Sequence, residues 1–199
     1  MGERTAMKNE SEKRLAVIFP GIGYNKDKPL LYYAAKLLQG MGYEVINIIF
    51  SDMPGKIKGD KVMIKKAAGI ASLQAEEQLA EINFAKYDKV IFVGKSIGTV
   101  ALAKYVYEHK INAKQVWYTP LEETFSYNQH EVIAFIGESD PWSDVDNVKK
   151  IALDQGIKLY SYEGCNHSLE SENIDKNLTI LHEVIKKTQE YSVKNHIGI

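Results

Sequence analysis

Gly94-Lys95-Ser96-Ile97-Gly98 sits between an apolar run, residues 90–93, and a segment with helical spacing, residues 97–107. A serine framed by glycines in a strand-to-helix turn suits nucleophilic attack. A serine hydroxyl is a weak nucleophile until a base takes its proton and the backbone presents it to substrate. A tight turn does the presenting, usually with the serine at positive φ, and glycines two residues to either side let neighbouring chain approach. The base and its orienting acid have candidates in two later loops. The strand at residues 132–136 runs into Gly137-Glu138-Ser139-Asp140-Pro141, and the strand at 158–162 runs into Glu163-Gly164-Cys165-Asn166-His167. In a parallel sheet, Ser96, Asp140 and His167 then share the carboxyl edge of the strands, where ligands bind.

Other chemistries fit these residues less well. Gly-Lys-Ser also ends a phosphate-binding loop, but the glycine that loop needs at position 89 is Lys89. Gly21-x-Gly23 begins a dinucleotide fingerprint whose third glycine position is Lys26. Cys165 and His167 fall short of the three or four ligands of a metal site, and Cys165 reads as a small packing residue. No metal and no cofactor are expected. Glu138, Asp144 and Glu122 are alternative acids, and Asp140 could also cap the helix that follows. His109, His130, His182 and His196 lie in helix, loop or tail contexts and read as solvated groups.

The elements that must position these residues alternate between strand and helix. Strands are expected at 15–19, 45–50, 90–93, 115–118, 132–136 and 158–162. Helices are expected at 29–41, 65–84, 97–107 and 145–153, with a last one starting near Ser171 as N-cap and carrying an apolar stripe of Ile174, Leu178, Leu181 and Ile185. Short links between alternating elements imply a three-layer α/β/α sandwich around a mostly parallel sheet of about six strands. A chain of 199 residues suits one domain, here 14–191, between a polar, flexible amino terminus at 1–13 and a tail at 192–199. A net charge of −1 argues against nucleic acid as partner, and no apolar run is long enough to span a membrane. The absence of a signal-like amino terminus and a single cysteine point to a cytoplasmic protein.

With strands and loops in this register, residues 14–190 resemble a small α/β-hydrolase, of the lidless kind similar to dienelactone hydrolases and carboxylesterases. The order Ser96, Asp140, His167 is that family's order. The resemblance implies a serine hydrolase acting on a carboxylic ester or related small-molecule acyl compound. His167 would be the base, Asp140 its orienting acid and an acyl-enzyme the intermediate. The same residues would serve a peptidase or thioesterase, and a non-catalytic binding protein of this fold is the other class. The resemblance further implies oxyanion donors at the Ile97 and Ile22 N–H groups, with Gly23 as substitute for the latter.

Tyr24, Tyr118, Trp142 and Leu169, in or beside loops at the strand ends, are expected to wall the site together with Gly23. Lys95 either pairs with a surface acid or biases the mouth toward anions. The lysines at 56, 58, 61, 65 and 66 read as a solvated cluster. The connection from Pro120 to Glu131 is too short for a lid, so an open site is expected.

Overall fold

A computed structural model of the protein describes residues 12–55, 57–127 and 131–194. Six parallel strands form one sheet in the order β2-β1-β3-β4-β5-β6. They are β1 (Arg14–Phe19), β2 (Glu44–Asn47), β3 (Lys89–Lys95), β4 (Lys114–Tyr118), β5 (Val132–Gly137) and β6 (Lys158–Tyr162). Among the described residues, four α-helices connect strands, α1 (Pro29–Gly40), α2 (Lys61–Leu79), α3 (Ile97–Glu108) and α4 (Val145–Asp154), and α5 (Ile174–Val193) follows β6. Among the described residues, no helix is long and apolar enough to cross a membrane.

Alternation along the strands separates two cores. Leu15, Val17, Phe19 and Phe92 face α2, α3 and α4. Ala16, Ile18, Ile91, Val93 and Tyr118 face α1 and α5. The chain moves from β1 outward to β2, then returns to the other side of β1 to lay down β3. The crevice between the carboxyl ends of β1 and β3 is therefore a topological switch point, the usual ligand position in an open α/β sheet.

The second strand is shorter than the expected 45–50. Its last paired residue is Asn47, opposite Ile18. Beyond it the backbone trades strand partners for side chains of α2. Gln78 donates to the Ile49 carbonyl and accepts from the Ile49 N–H, and Gln74 treats Ser51 the same way, at 2.8–2.9 Å. Helix α2 starts earlier than expected because the Asp60 carboxylate caps Val62 N and Met63 N. The last helix starts later: Asn173, not Ser171, is the N-cap, accepting from Lys176 N, and Asp175 lies in the first turn. Its buried face is Ile180, Val184, Thr188 and Ser192, while Ile174 and Leu178 of the expected stripe are exposed. The helix also carries through Ser192 to Val193, so the start of the expected tail is helical. Residues 1–11 of the expected flexible segment lie outside the described residues, as do Lys56, His130 and His196.

Candidate active site

Ser96 occupies the turn between β3 and α3 with φ 55° and ψ −123°, the strained conformation of an elbow. Packing enforces it. A Cβ on Gly94 would overlap Leu102 Cδ2, and one on Gly98 would overlap Pro20 O and stand 2.8 Å from Phe19 O. Only glycine at 98 lets α3 start directly against the end of β1. The turn is also tied from within: Thr99 N and Thr99 Oγ1 both donate to the Ser96 carbonyl, at 2.8 and 2.6 Å, and Thr99 Oγ1 bonds Thr124 Oγ1 at 2.7 Å.

Two loops bring the partners. His167, in the loop after β6, places Nε2 2.7 Å from Ser96 Oγ and Nδ1 2.7 Å from Asp140 Oδ2. Asp140, in the loop after β5, also accepts from Trp142 N at Oδ1, at 2.9 Å. The two loops are welded where a Cβ on Gly137 would run into the Cys165 and Asn166 carbonyls. The Trp142 ring stacks on the His167 imidazole, centroids 5.1 Å apart and planes 20° apart. The alternative acids are occupied elsewhere. Glu138 pairs with Lys149 at 2.7 Å, Asp144 caps α4, and Glu122 accepts from Asp144 N.

Burial sets the electrostatics. The imidazole of His167 is pushed down to about 4, first by desolvation and next by the nearby charge of Lys95. The Asp140 hydrogen bond and charge oppose this, and Lys58 adds a further downward push. Lys95 itself is 1% exposed, with its ammonium 5.0 Å from the centre of the Tyr24 ring. Desolvation brings it down to about 7 against the opposing charges of Asp140 and Glu170. It is therefore a core lysine, and the pairing with a surface acid expected from sequence does not occur among the described residues.

The two N–H groups expected to face an oxyanion lie at the start of α3 and in the loop after β1. Gly21 and Tyr24 exchange backbone hydrogen bonds at 2.9 and 3.2 Å, closing a tight turn over Ile22 and Gly23, with Gly23 at φ 72°. Ile97 is the first residue of α3, so its N–H has no intrahelical acceptor. Among the described residues, neither it nor the Ile22 N–H has a partner in the turns and loops.

No protein-family model and no curated protein matches the sequence. Solved structures match by shape. Est1E from Butyrivibrio proteoclasticus with ferulic acid bound superposes at a TM-score of 0.63, covering 94% of this chain and 93% of that one at 12% identity. An α/β serine hydrolase without lid from Xanthomonas campestris gives 0.61, over 94% and 87% at 12% identity. An esterase from Pyrococcus furiosus gives 0.61, over 91% and 82% at 14% identity.

The chain has the α/β-hydrolase fold. Not every wall residue expected on that fold reaches the cleft. Tyr118 is fully buried and its hydroxyl bonds Thr188 Oγ1 of α5 at 2.8 Å, so it is core, not wall. Leu169 is 2% exposed and packs on the α1/α5 side at φ 58°. Tyr24, Gly23 and Trp142 do stand at the cleft, Tyr24 with its hydroxyl accepting from Leu30 N at 3.1 Å. Cys165 is buried and its thiol is pushed up by desolvation. His182 is exposed, and His109 pairs with Glu76 at 2.8 Å on the surface.

The sequence reading missed Phe50, Met53 and Ile57. Ile57 is buried against Ile97 and Leu121, with Phe50, Met53 and Trp142 packed on the same cluster. Phe50 and Met53 follow the carboxyl end of β2, and that position alone marks them as cleft residues in a parallel sheet.

Proposed function

We propose that the protein is a serine hydrolase that cleaves a carboxylic ester or related acyl bond through an acyl-enzyme. The observation that carries this is the unbroken chain Ser96 Oγ–His167–Asp140, two contacts of 2.7 Å anchored on a serine at positive φ. With the Nδ1 proton donated to Asp140, Nε2 is the acceptor that takes the Ser96 proton as Oγ attacks the acyl carbon. The carbonyl oxygen becomes an oxyanion that the Ile22 and Ile97 N–H groups receive, each such donor being worth about 3 kcal/mol of barrier. His167 then returns the proton to the leaving alcohol or thiol as its bond to carbon breaks. Water repeats the sequence on the acyl-enzyme and releases the acid. Shape neighbours described as an esterase and as a serine hydrolase without lid support an acyl substrate at the level of fold.

The deciding experiment is labelling with a fluorophosphonate, followed by intact mass. One adduct is expected on the wild type and none on Ser96→Ala. Absence of an adduct on the folded wild type would turn the reading toward a non-catalytic binding protein.

A further inference from the structure

Beside the nucleophile lies a cavity of about 380 Å3 between the loop after β1 and the loop after β2. Its floor and walls are Gly21, Ile22, Ile48, Phe50 and Met53. Gly21 is the wall it shares with the nucleophile, since a Cβ there would stand 3.3 Å from Ser96 Cβ. Ile22, which offers one of the candidate oxyanion donors, lines it too. The far rim is polar, with Asn25 and the Lys26–Asp27 ion pair at 2.8 Å.

Sheet order decides which part of a substrate this cavity can take. His167 and Asp140 come from the loops after β6 and β5, so the proton donor approaches Ser96 from the β4–β6 side. The cavity lies above β1 and β2, on the opposite side of β3. The leaving group must stay in reach of His167 Nε2 to receive its proton. Of the two other substituents of the tetrahedral carbon, the oxyanion meets the Ile22 and Ile97 N–H groups, and the acyl group turns away from His167, where the cavity beside Gly21 opens on the β1 and β2 side.

We propose that the cavity between the β1 and β2 loops is the acyl pocket, and that the substrates are esters or thioesters of apolar acids. This rests on the hydrolase reading above. At about 30 Å3 per condensed-phase group, the cavity has room for on the order of ten non-hydrogen atoms. That corresponds to a medium-length alkanoyl or an arylalkanoyl group, larger than acetyl and smaller than a fatty acyl chain. The wall is built in advance: Gln74 and Gln78 hold the backbone of Ile49 and Ser51 on either side of Phe50. Apolar walls with a few polar groups at the rim are what a pocket for an apolar group requires.

The test is kcat/KM for 4-nitrophenyl acetate, butyrate, hexanoate and octanoate with the wild type, Met53→Trp and Met53→Ala. On the wild type kcat/KM should climb by up to about fourfold per methylene and then level off within this series. Met53→Trp should cut the hexanoate-to-acetate ratio at least tenfold, and Met53→Ala should move the optimum to a longer chain. A parallel series of acetates of increasing alcohol length should keep its ratios in both variants. A flat acyl series on the wild type, acyl ratios unmoved by either substitution, or a response in the alcohol series instead would overturn the assignment. Fluorophosphonate labelling separates the two levels. An adduct with a flat acyl series removes the pocket and leaves the hydrolase, whereas no adduct removes both.

Discussion

Asp140 touches three groups at once: His167 Nδ1 through Oδ2, Trp142 N through Oδ1, and the Gly137 carbonyl through its own N–H. Asp140→Asn keeps the shape but puts an amide where the imidazole N–H needs an anion, so it favours the wrong tautomer. A fall in kcat of about 10^3–10^4 is expected with the fold retained. Full activity would move the acid elsewhere, although Glu138, Asp144 and Glu122 already have partners. Lys95 makes a subtler prediction. A neutral imidazole is needed for proton abstraction, and His167 stays neutral down to about 4. The acid limb of kcat/KM should therefore lie near pH 4, well below that of an ordinary histidine. A neighbouring cation opposes imidazolium, so removing it raises the histidine. Lys95→Met should shift the acid limb upward, and an unmoved limb would show that desolvation alone holds His167 down. The meeting of these three residues was legible because Ser96 and Asp140 follow apolar strands and His167 lies in the loop after β6, all at one edge of the sheet. The burial of Lys95 was not: the sequence offered a surface ion pair or a charge at the mouth, whereas the alternation of β3 turns it inward with Ile91 and Val93.

At the scale of elements, the strands were read well where burial on both faces leaves an unbroken apolar run. There β3 and β5 extend the expected spans by only a residue or two at an end, into flanking lysines and glycines, and the half-exposed edge strand β6 matches residue for residue through its β-favouring tyrosines. The errors have identifiable causes. Phe50 looks like strand, yet β1 ends at Phe19, and Gln74 and Gln78 replace the missing ladder. Helix α2 buries Ala67, Ala71 and Ala75, residues too small to set up a strong apolar period. On α5, Ser171 and Asn173 are both good caps by type, and only the fold selects between them. The elbow itself gives the sharpest element-scale prediction. A Cβ on Gly98 would meet backbone atoms of Phe19 and Pro20, which cannot swing away as a side chain could. Gly98→Ala should destabilise by about 1–3 kcal/mol or more. It should also reduce fluorophosphonate labelling, because α3 must retreat from β1 and take Ser96 with it. Urea midpoints read with labelling rates would show both losses, and a neutral substitution would mean that the β1–α3 contact is looser than the structure has it.

The same buried groups that shape the site tie the stability of the whole molecule to pH. Lys95 is pulled down to about 7 in the folded protein, while an unfolded lysine titrates near 10.5. Between those values the unfolded chain binds a proton that the folded chain has lost, so unfolding becomes harder as pH rises. Lys114, buried near the end of α5 and donating to the Tyr191 and Lys194 carbonyls, is also lowered by desolvation and adds in the same direction. Above about pH 10 the sign reverses. Tyr24 and Tyr105 are held up to about 12 by burial, and Tyr118 and Tyr191 are raised as well. Unfolding would then release protons that the folded state retains. His167 acts at the other end: its folded value of about 4, against 6.5 unfolded, makes the protein lose stability as pH falls through that interval. Unfolding free energy should thus be lowest in acid, rise through neutrality, peak near pH 9–10 and fall beyond it. Urea titrations at half-unit steps measure this curve directly. Lys95→Met should flatten the rise between pH 7 and 10 and leave the alkaline fall in place, because the tyrosines remain. If the variant kept the full rise, Lys95 would be charged in the folded state across that range, and the cation beside His167 would be a permanent part of the site.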